Sequence, residues 1–194
     1  MDINIISFHG LYSQGNNLEI LVNHLESDLE FRGINVVTSQ HDYPVLGVWQ
    51  GRKKWAREIV PELILKCLAL EYRKFPEAKI YVLAHSNGTF GIMNALERYD
   101  SGLYDKIQID RLFLFGCVIP RSFNWANYPA VDVVNFVGSK DRISGLSTLY
   151  GMGNSGKRGF IYKADNLTQY YTDWKHSDFV LPKNYDFIRE KVLL

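Results

Sequence analysis

The sequence predicts an α/β fold: a single domain over residues 1–194, with a mostly parallel sheet carrying helices on both faces. Two observations lead there. Apolar runs of strand length recur at Ile3–Phe8, Ile34–Val37, Ile80–Ala84, Leu112–Val118 and Val131–Val137, with helical patterns between several of them. The central runs are apolar nearly throughout instead of alternating, as strands are when helices cover both sides. No repeat, low-complexity tract, linker or shift of composition divides the chain.

Between the first two strands, Leu18, Leu21, Val22, Leu25 and Leu29 recur at helical spacing, and Gly33 stands where a helix would be capped. From Trp49 to Phe75 the pattern is again helical, with Trp55, Ile59, Leu63 and Cys67 four residues apart, and Pro61 kinks the segment or starts its second half. A short helix is expected over Gly88–Tyr99 and a last one over Tyr185–Leu194. The glycine-dense stretch from Gly145 to Gly159 reads as a loop whose backbone moves or closely approaches another group, and it could border a substrate pocket.

Composition narrows the function. A chain of 194 residues, 46% hydrophobic, buries a sizeable core without disulfides or metal. Lys plus Arg number 22 against 21 Asp plus Glu, a net charge of +1, which leaves no broad field for nucleic acid or anionic lipid. No apolar run approaches the ~20 residues of a membrane span, and the first residues lack the basic and apolar regions of a secretory signal. Cys67 and Cys117 fall in apolar patterns and form neither a redox pair nor a zinc motif. A reducing, cytoplasmic setting is expected. The Gly145–Gly159 stretch is not a phosphate-binding P-loop.

Chemistry gathers at three places. The run Ile80–Leu83 leads straight into Ala84-His85-Ser86-Asn87-Gly88, and a helical pattern follows at once. A serine on so sharp a turn projects its Oγ from the sheet edge, and small flanking residues let strand and helix approach. The run Val133–Val137 leads into Gly138-Ser139-Lys140-Asp141, placing an acid on the loop after a later strand. The alternative for Asp141 is a turn residue that caps local backbone. His176, in Trp174-Lys175-His176-Ser177-Asp178, is the one histidine after Asp141. Of the others, His85 is expected to be packing, and His9-Gly10 ends the first strand.

With His9-Gly10, Ala84-His85-Ser86-Asn87-Gly88, Asp141 and His176 in that order, the chain resembles the α/β-hydrolase superfamily over nearly its whole length. Ala84 replaces the commoner first glycine of the elbow. The resemblance implies a Ser86, Asp141, His176 triad and an oxyanion hole made by the backbone amides of Leu11 and Asn87. It implies a sheet shortened at its N-terminal edge, and no cap domain, because only Ile119–Ala130 separates the relevant strands. Pro120–Trp125 is either a short flap or a cover for the sheet end.

The expected activity is cleavage of a carboxylic ester or thioester through an acyl-enzyme, on a small-molecule substrate and with no cofactor or metal. The rivals are an acyltransferase with the same triad, a binding or scaffold protein that keeps the fold without turnover, and a membrane-surface lipase using Trp49 and Trp55 beside Arg52, Lys53 and Lys54.

Overall fold

The computed structural model describes residues 2–9, 16–41, 55–99 and 108–192. Six strands form one sheet: β1 (Asp2–Phe8), β2 (Asn35–His41), β3 (Lys79–His85), β4 (Arg111–Phe115), β5 (Asp132–Gly138) and β6 (Leu167–Thr172). Their order is β2-β1-β3-β4-β5-β6 and every pairing is parallel. All six carboxyl ends therefore lie along one edge, where the loops that carry function collect.

The pleat sorts the core into two layers. Ile6, Phe8, Ile80, Val82, Ala84, Leu112, Leu114 and Val133 face α2 (Val60–Lys74) and α3 (Asn87–Tyr99). Ile3, Ile5, Tyr81, Leu83, Phe113, Phe115, Val134 and Phe136 face α1 (Asn16–Phe31) and α6 (Tyr185–Val192). Because neighbours along one strand feed opposite layers, both faces are dry, which explains the unbroken apolar runs.

Helix α1 buries Leu18, Leu21, Val22, Leu25 and Leu29, and Gly33 follows it at φ +75°, a left-handed stop. The helical segment expected over Trp49–Phe75 is divided: a π-helical turn over Trp55–Ile59 precedes α2, and Pro61 stands in the first turn of α2, where its missing N–H costs nothing. Residues 49–54 lie outside those described. Strand β4 stops at Phe115, short of the expected Val118, because Gly116 turns the chain at φ +52°. Strand β6 is an element that the apolar runs did not reveal. Pro120–Trp125 covers the sheet end and is no flap: Trp125 is buried and packs against Phe123, Tyr128 and Phe160.

The Gly145–Gly159 stretch takes the second of its two expected forms, close approach. It folds as α4 (Arg142–Leu146), a 3-10 turn over Ser147–Tyr150 and α5 (Ser155–Arg158). A Cβ on Gly153 would strike the Ile119 carbonyl, and one on Gly156 would strike the Cys117 backbone.

A buried carboxylate sits among the apolar layers. Glu71 of α2 is 1% exposed and accepts hydrogen bonds from Asn4 Nδ2 (3.3 Å), Ser39 Oγ (2.9 Å) and Lys74 Nζ (2.8 Å). Burial alone would raise its carboxyl, but those hydrogen bonds and the Lys74 charge outweigh it and hold Glu71 below the usual carboxylate range. A depressed carboxyl stabilises the fold above its ordinary pKa of ~4.3 and loses that contribution as pH falls through the folded-state value. Glu71→Gln is expected to flatten the acid limb of the stability curve below about pH 5 and to cost about 2 kcal/mol at neutral pH, read by denaturant titration across pH. An unchanged acid limb would contradict this account.

Candidate active site

Three consecutive strands deliver the site to the carboxyl edge: Ser86 follows β3, Gly116 follows β4 and Asp141 lies three residues beyond the end of β5. Ser86 is the one non-glycine residue with positive φ among those described, at +54°. Such a conformation costs a side-chain-bearing residue about 1–2 kcal/mol and persists only where its surroundings fix it. Here they do. The Ser86 amide donates to the Phe115 carbonyl at 2.9 Å, while its carbonyl accepts from the Thr89 amide (3.0 Å) and Thr89 Oγ1 (2.6 Å). Thr89 Oγ1 in turn accepts from the Val118 amide at 3.0 Å, tying the turn to the chain beyond β4. A Cβ on Gly88 would land on the Phe8 carbonyl oxygen, so glycine is needed for α3 to start against the end of β1.

Asp141 is nearly sealed, its side chain 2% exposed. Its carboxylate both caps local backbone and meets His176. Oδ1 accepts from the Ser144 amide at 2.8 Å, the N-cap of α4, and Oδ2 accepts from Ser144 Oγ at 2.6 Å. Oδ2 also lies 2.9 Å from His176 Nδ1. Burial alone would raise this carboxyl too; the hydrogen bond and charge of His176 and the two bonds from Ser144 outweigh it and hold Asp141 below the usual range. An ionised acceptor at that distance fixes the proton on Nδ1 and leaves Nε2 free to accept one.

The imidazole is held from three sides. Gly116 supports the ring so closely that a Cβ there would sit 2.7 Å from Cε1 and 2.8 Å from Nδ1. His85 does more than fill space: its Nε2 lies 3.2 Å from the His176 carbonyl oxygen, and its ring packs 4.8 Å from the His176 ring and 4.7 Å from Phe179. Burial, and then the neighbouring His176, push the His85 pKa down to about 3, so it stays neutral. Behind His176, the cavity lined in part by Phe115, Phe136, Asp141 and Trp174 measures about 10 Å³, room for no more than a water. The side chain of His176 is 10% exposed. No hydrogen bond joins Ser86 Oγ to the imidazole; Asp141 and His176 are brought together directly, and Ser86 reaches them through its neighbour His85 and through Phe115 and Gly116.

Of the two expected oxyanion donors, Asn87 opens α3, where the first amides have no partner within the helix. Leu11 lies outside the described residues. Cys117 is buried, its thiol pushed up to about 11 by that burial, and it accepts from Ser155 Oγ at 3.1 Å; it has no nucleophilic character. Among the described residues no group of three or more His, Cys, Asp or Glu side chains is placed to hold a metal ion. Gly116→Ala is expected to displace the imidazole while the protein stays folded, read as shifted His176 ring resonances by NMR. Unchanged resonances would show that the ring does not depend on that contact.

No protein-family model matches the chain, and no curated protein matches it by sequence. Solved structures do match by shape. A gene product of Listeria innocua superposes at TM-score 0.60 with 12% identity, covering 97% of this chain and 92% of that one. An acetylxylan esterase gives 0.57 at 10% identity, covering 98% and 96%. A cutinase-like protein from a Cryptococcus species gives 0.56 at 10% identity, covering 100% and 93%. At such identities the likeness concerns the fold, and the fold is that of the α/β-hydrolases.

Proposed function

We propose that this chain, folded as an α/β-hydrolase, is a serine hydrolase that cleaves a carboxylic ester or thioester through an acyl-enzyme. The observation that carries the proposal is a convergence at one sheet edge. A serine held at φ +54° between strand and helix lies on the same carboxyl edge of the sheet as an aspartate and a histidine joined at 2.9 Å. Strain kept at a single non-glycine position needs a reason, and exposing a nucleophile is the one that fits its neighbours. The names of the structural neighbours, an esterase and a cutinase-like protein among them, agree with the ester class.

In this mechanism Ser86 Oγ attacks the carbonyl carbon and His176 Nε2 takes its proton, after the imidazole closes on the hydroxyl. Asp141 holds the Nδ1–H tautomer and stabilises the imidazolium. The amides of Asn87 and Leu11 receive the oxyanion. Collapse returns the carbonyl and breaks the bond to the leaving group, which departs as alcohol or thiol with the proton from His176. Water then gives a proton to His176, attacks the acyl carbon and releases the acid, and Ser86 regains its proton. Every proton is carried by protein side chains and water.

The test is stopped-flow hydrolysis of p-nitrophenyl esters of increasing chain length. A burst of p-nitrophenol stoichiometric with protein, followed by steady turnover, is the expected result. Added alcohol that diverts the acyl group faster than water does would point to an acyltransferase. Neither burst nor turnover with any chain length would leave a binding protein that kept the fold.

A further inference from the structure

The helix that begins immediately after Asp141 is built inside out. In α4 and the 3-10 turn after it, the polar Ser144 and Ser147 are buried, whereas Ile143, Leu146 and Leu149 are 57%, 57% and 77% exposed. The inner side has a clear task. Ser144 satisfies the Asp141 carboxylate through N–H and O–H, and Ser147 Oγ donates to the carbonyls of Ser144 and Gly153. That task leaves the outer side unconstrained, and an outer side facing only water would carry polar residues. Instead three large apolar side chains stand three residues apart, along one ridge.

Along the sequence, the charge flanking the ridge is one-sided. From Ser139 to Lys163 the chain carries Lys140, Arg142, Lys157, Arg158 and Lys163, and Asp141 is the sole carboxylate, already engaged by His176. The whole-chain charge of +1 conceals this asymmetry. Lys140 pairs with Asp173 at 2.6 Å, but Arg142, Lys157 and Arg158 form no ion pair among the described residues. Lys157 lies along α4 itself: its Nζ is 3.2 Å from the place a Cβ on Gly145 would take.

We propose that this ridge docks on an anionic lipid layer, with Ile143, Leu146 and Leu149 entering the acyl boundary and Arg142, Lys157 and Arg158 meeting lipid phosphates. Charge selects this occupant. A second copy of the ridge would bring like charges together, whereas an anionic lipid layer offers both an apolar interior and phosphates at its surface. The other candidate for a lipid contact, Trp49 and Trp55 beside Arg52, Lys53 and Lys54, falls largely on residues 49–54, outside the described part. No helix among the described residues is long and apolar enough to cross a membrane. Docking there brings to the lipid the short helix that Asp141 caps.

The test is co-sedimentation of the Ser86→Ala protein with vesicles of phosphatidylcholine alone or mixed with phosphatidylglycerol. Removing the serine separates docking from turnover, so the result stands whether or not Ser86 is a nucleophile. Binding to the mixed vesicles at low salt, absent with phosphatidylcholine alone and weakened by salt, is expected. Arg142→Gln and Lys157→Gln should each weaken it about five-fold. The triple change Ile143→Ser, Leu146→Ser and Leu149→Ser should abolish it without lowering the melting temperature, because those side chains face solvent. Phe31→Ser, at a 92% exposed position on α1, should leave it intact. No binding to the mixed vesicles at low salt would overturn the proposal, as would binding that survives the triple change.

Discussion

Ser86→Gly is expected to abolish ester hydrolysis, lowering kcat/KM by about 10⁴–10⁶-fold, and at the same time to raise stability. Opposite signs follow from one observation. Ser86 sits at φ +54°, where an L-residue is strained and glycine is not. The substitution relieves about 1 kcal/mol of backbone strain, offset in part by the greater freedom of glycine in the unfolded chain. The hydrogen bonds of the turn survive, because Ser86 uses its backbone N–H and C=O to reach Phe115 and Thr89. Ser86→Ala should lose as much activity without the gain in stability. Chemical denaturation beside ester turnover reads both quantities. A Ser86→Gly protein that is less stable and still active would place the nucleophile elsewhere.

Asp141→Asn is the second change of large effect, expected to lower kcat by about 10⁴-fold. An asparagine keeps an acceptor for the Ser144 amide, so the cap of α4 survives and the cost in stability stays near 1 kcal/mol. What is lost is the carboxylate 2.9 Å from His176 Nδ1. Without it the Nδ1–H tautomer is no longer enforced, and the imidazolium formed during attack loses its counter-charge. Asp141→Ala should add the loss of the cap and destabilise further. Turnover within ten-fold of wild type in a folded Asp141→Asn protein would reduce Asp141 to its capping role.

How far the sequence reveals this arrangement depends on the kind of signal. The four central strands are legible because both of their faces are buried, which leaves unbroken apolar runs such as Ile80–Ala84; β2, at the opposite edge from β6, shows only through the short run that ends at Val37. Strand β6 lies at the sheet edge and reads Leu167-Thr168-Gln169-Tyr170-Tyr171-Thr172, with a single aliphatic residue, so apolarity does not betray it. The overrun of β4 to Val118 has the opposite cause. Apolar residues continue past Gly116 because Cys117, Val118 and Ile119 are buried beneath Gly153 and Gly156.

Ser86, Asp141 and His176 are visible as residue types in an order, the first two after expected strands and His176 in the stretch before the last helix. The residues that hold them are not. Thr89 carries no signature of its bridge between Ser86 and Val118, and Gly116 looks like any strand terminator until its contact with the imidazole is seen. His85, read as packing, also meets the His176 carbonyl. Ser144 carries no signature either, because a capping box is completed by Glu or Gln three residues after the cap and the chain has Ser there. The exposed ridge of α4 escapes any rule that places apolar residues inward.

The most direct test of the central claim is labelling of the purified protein with a fluorophosphonate, the modified residue located by peptide mass spectrometry, with His176→Ala alongside. The account predicts covalent modification at Ser86 that falls by about three orders of magnitude or more when His176 is removed. Modification at another residue, or labelling of Ser86 that is indifferent to His176, would contradict it.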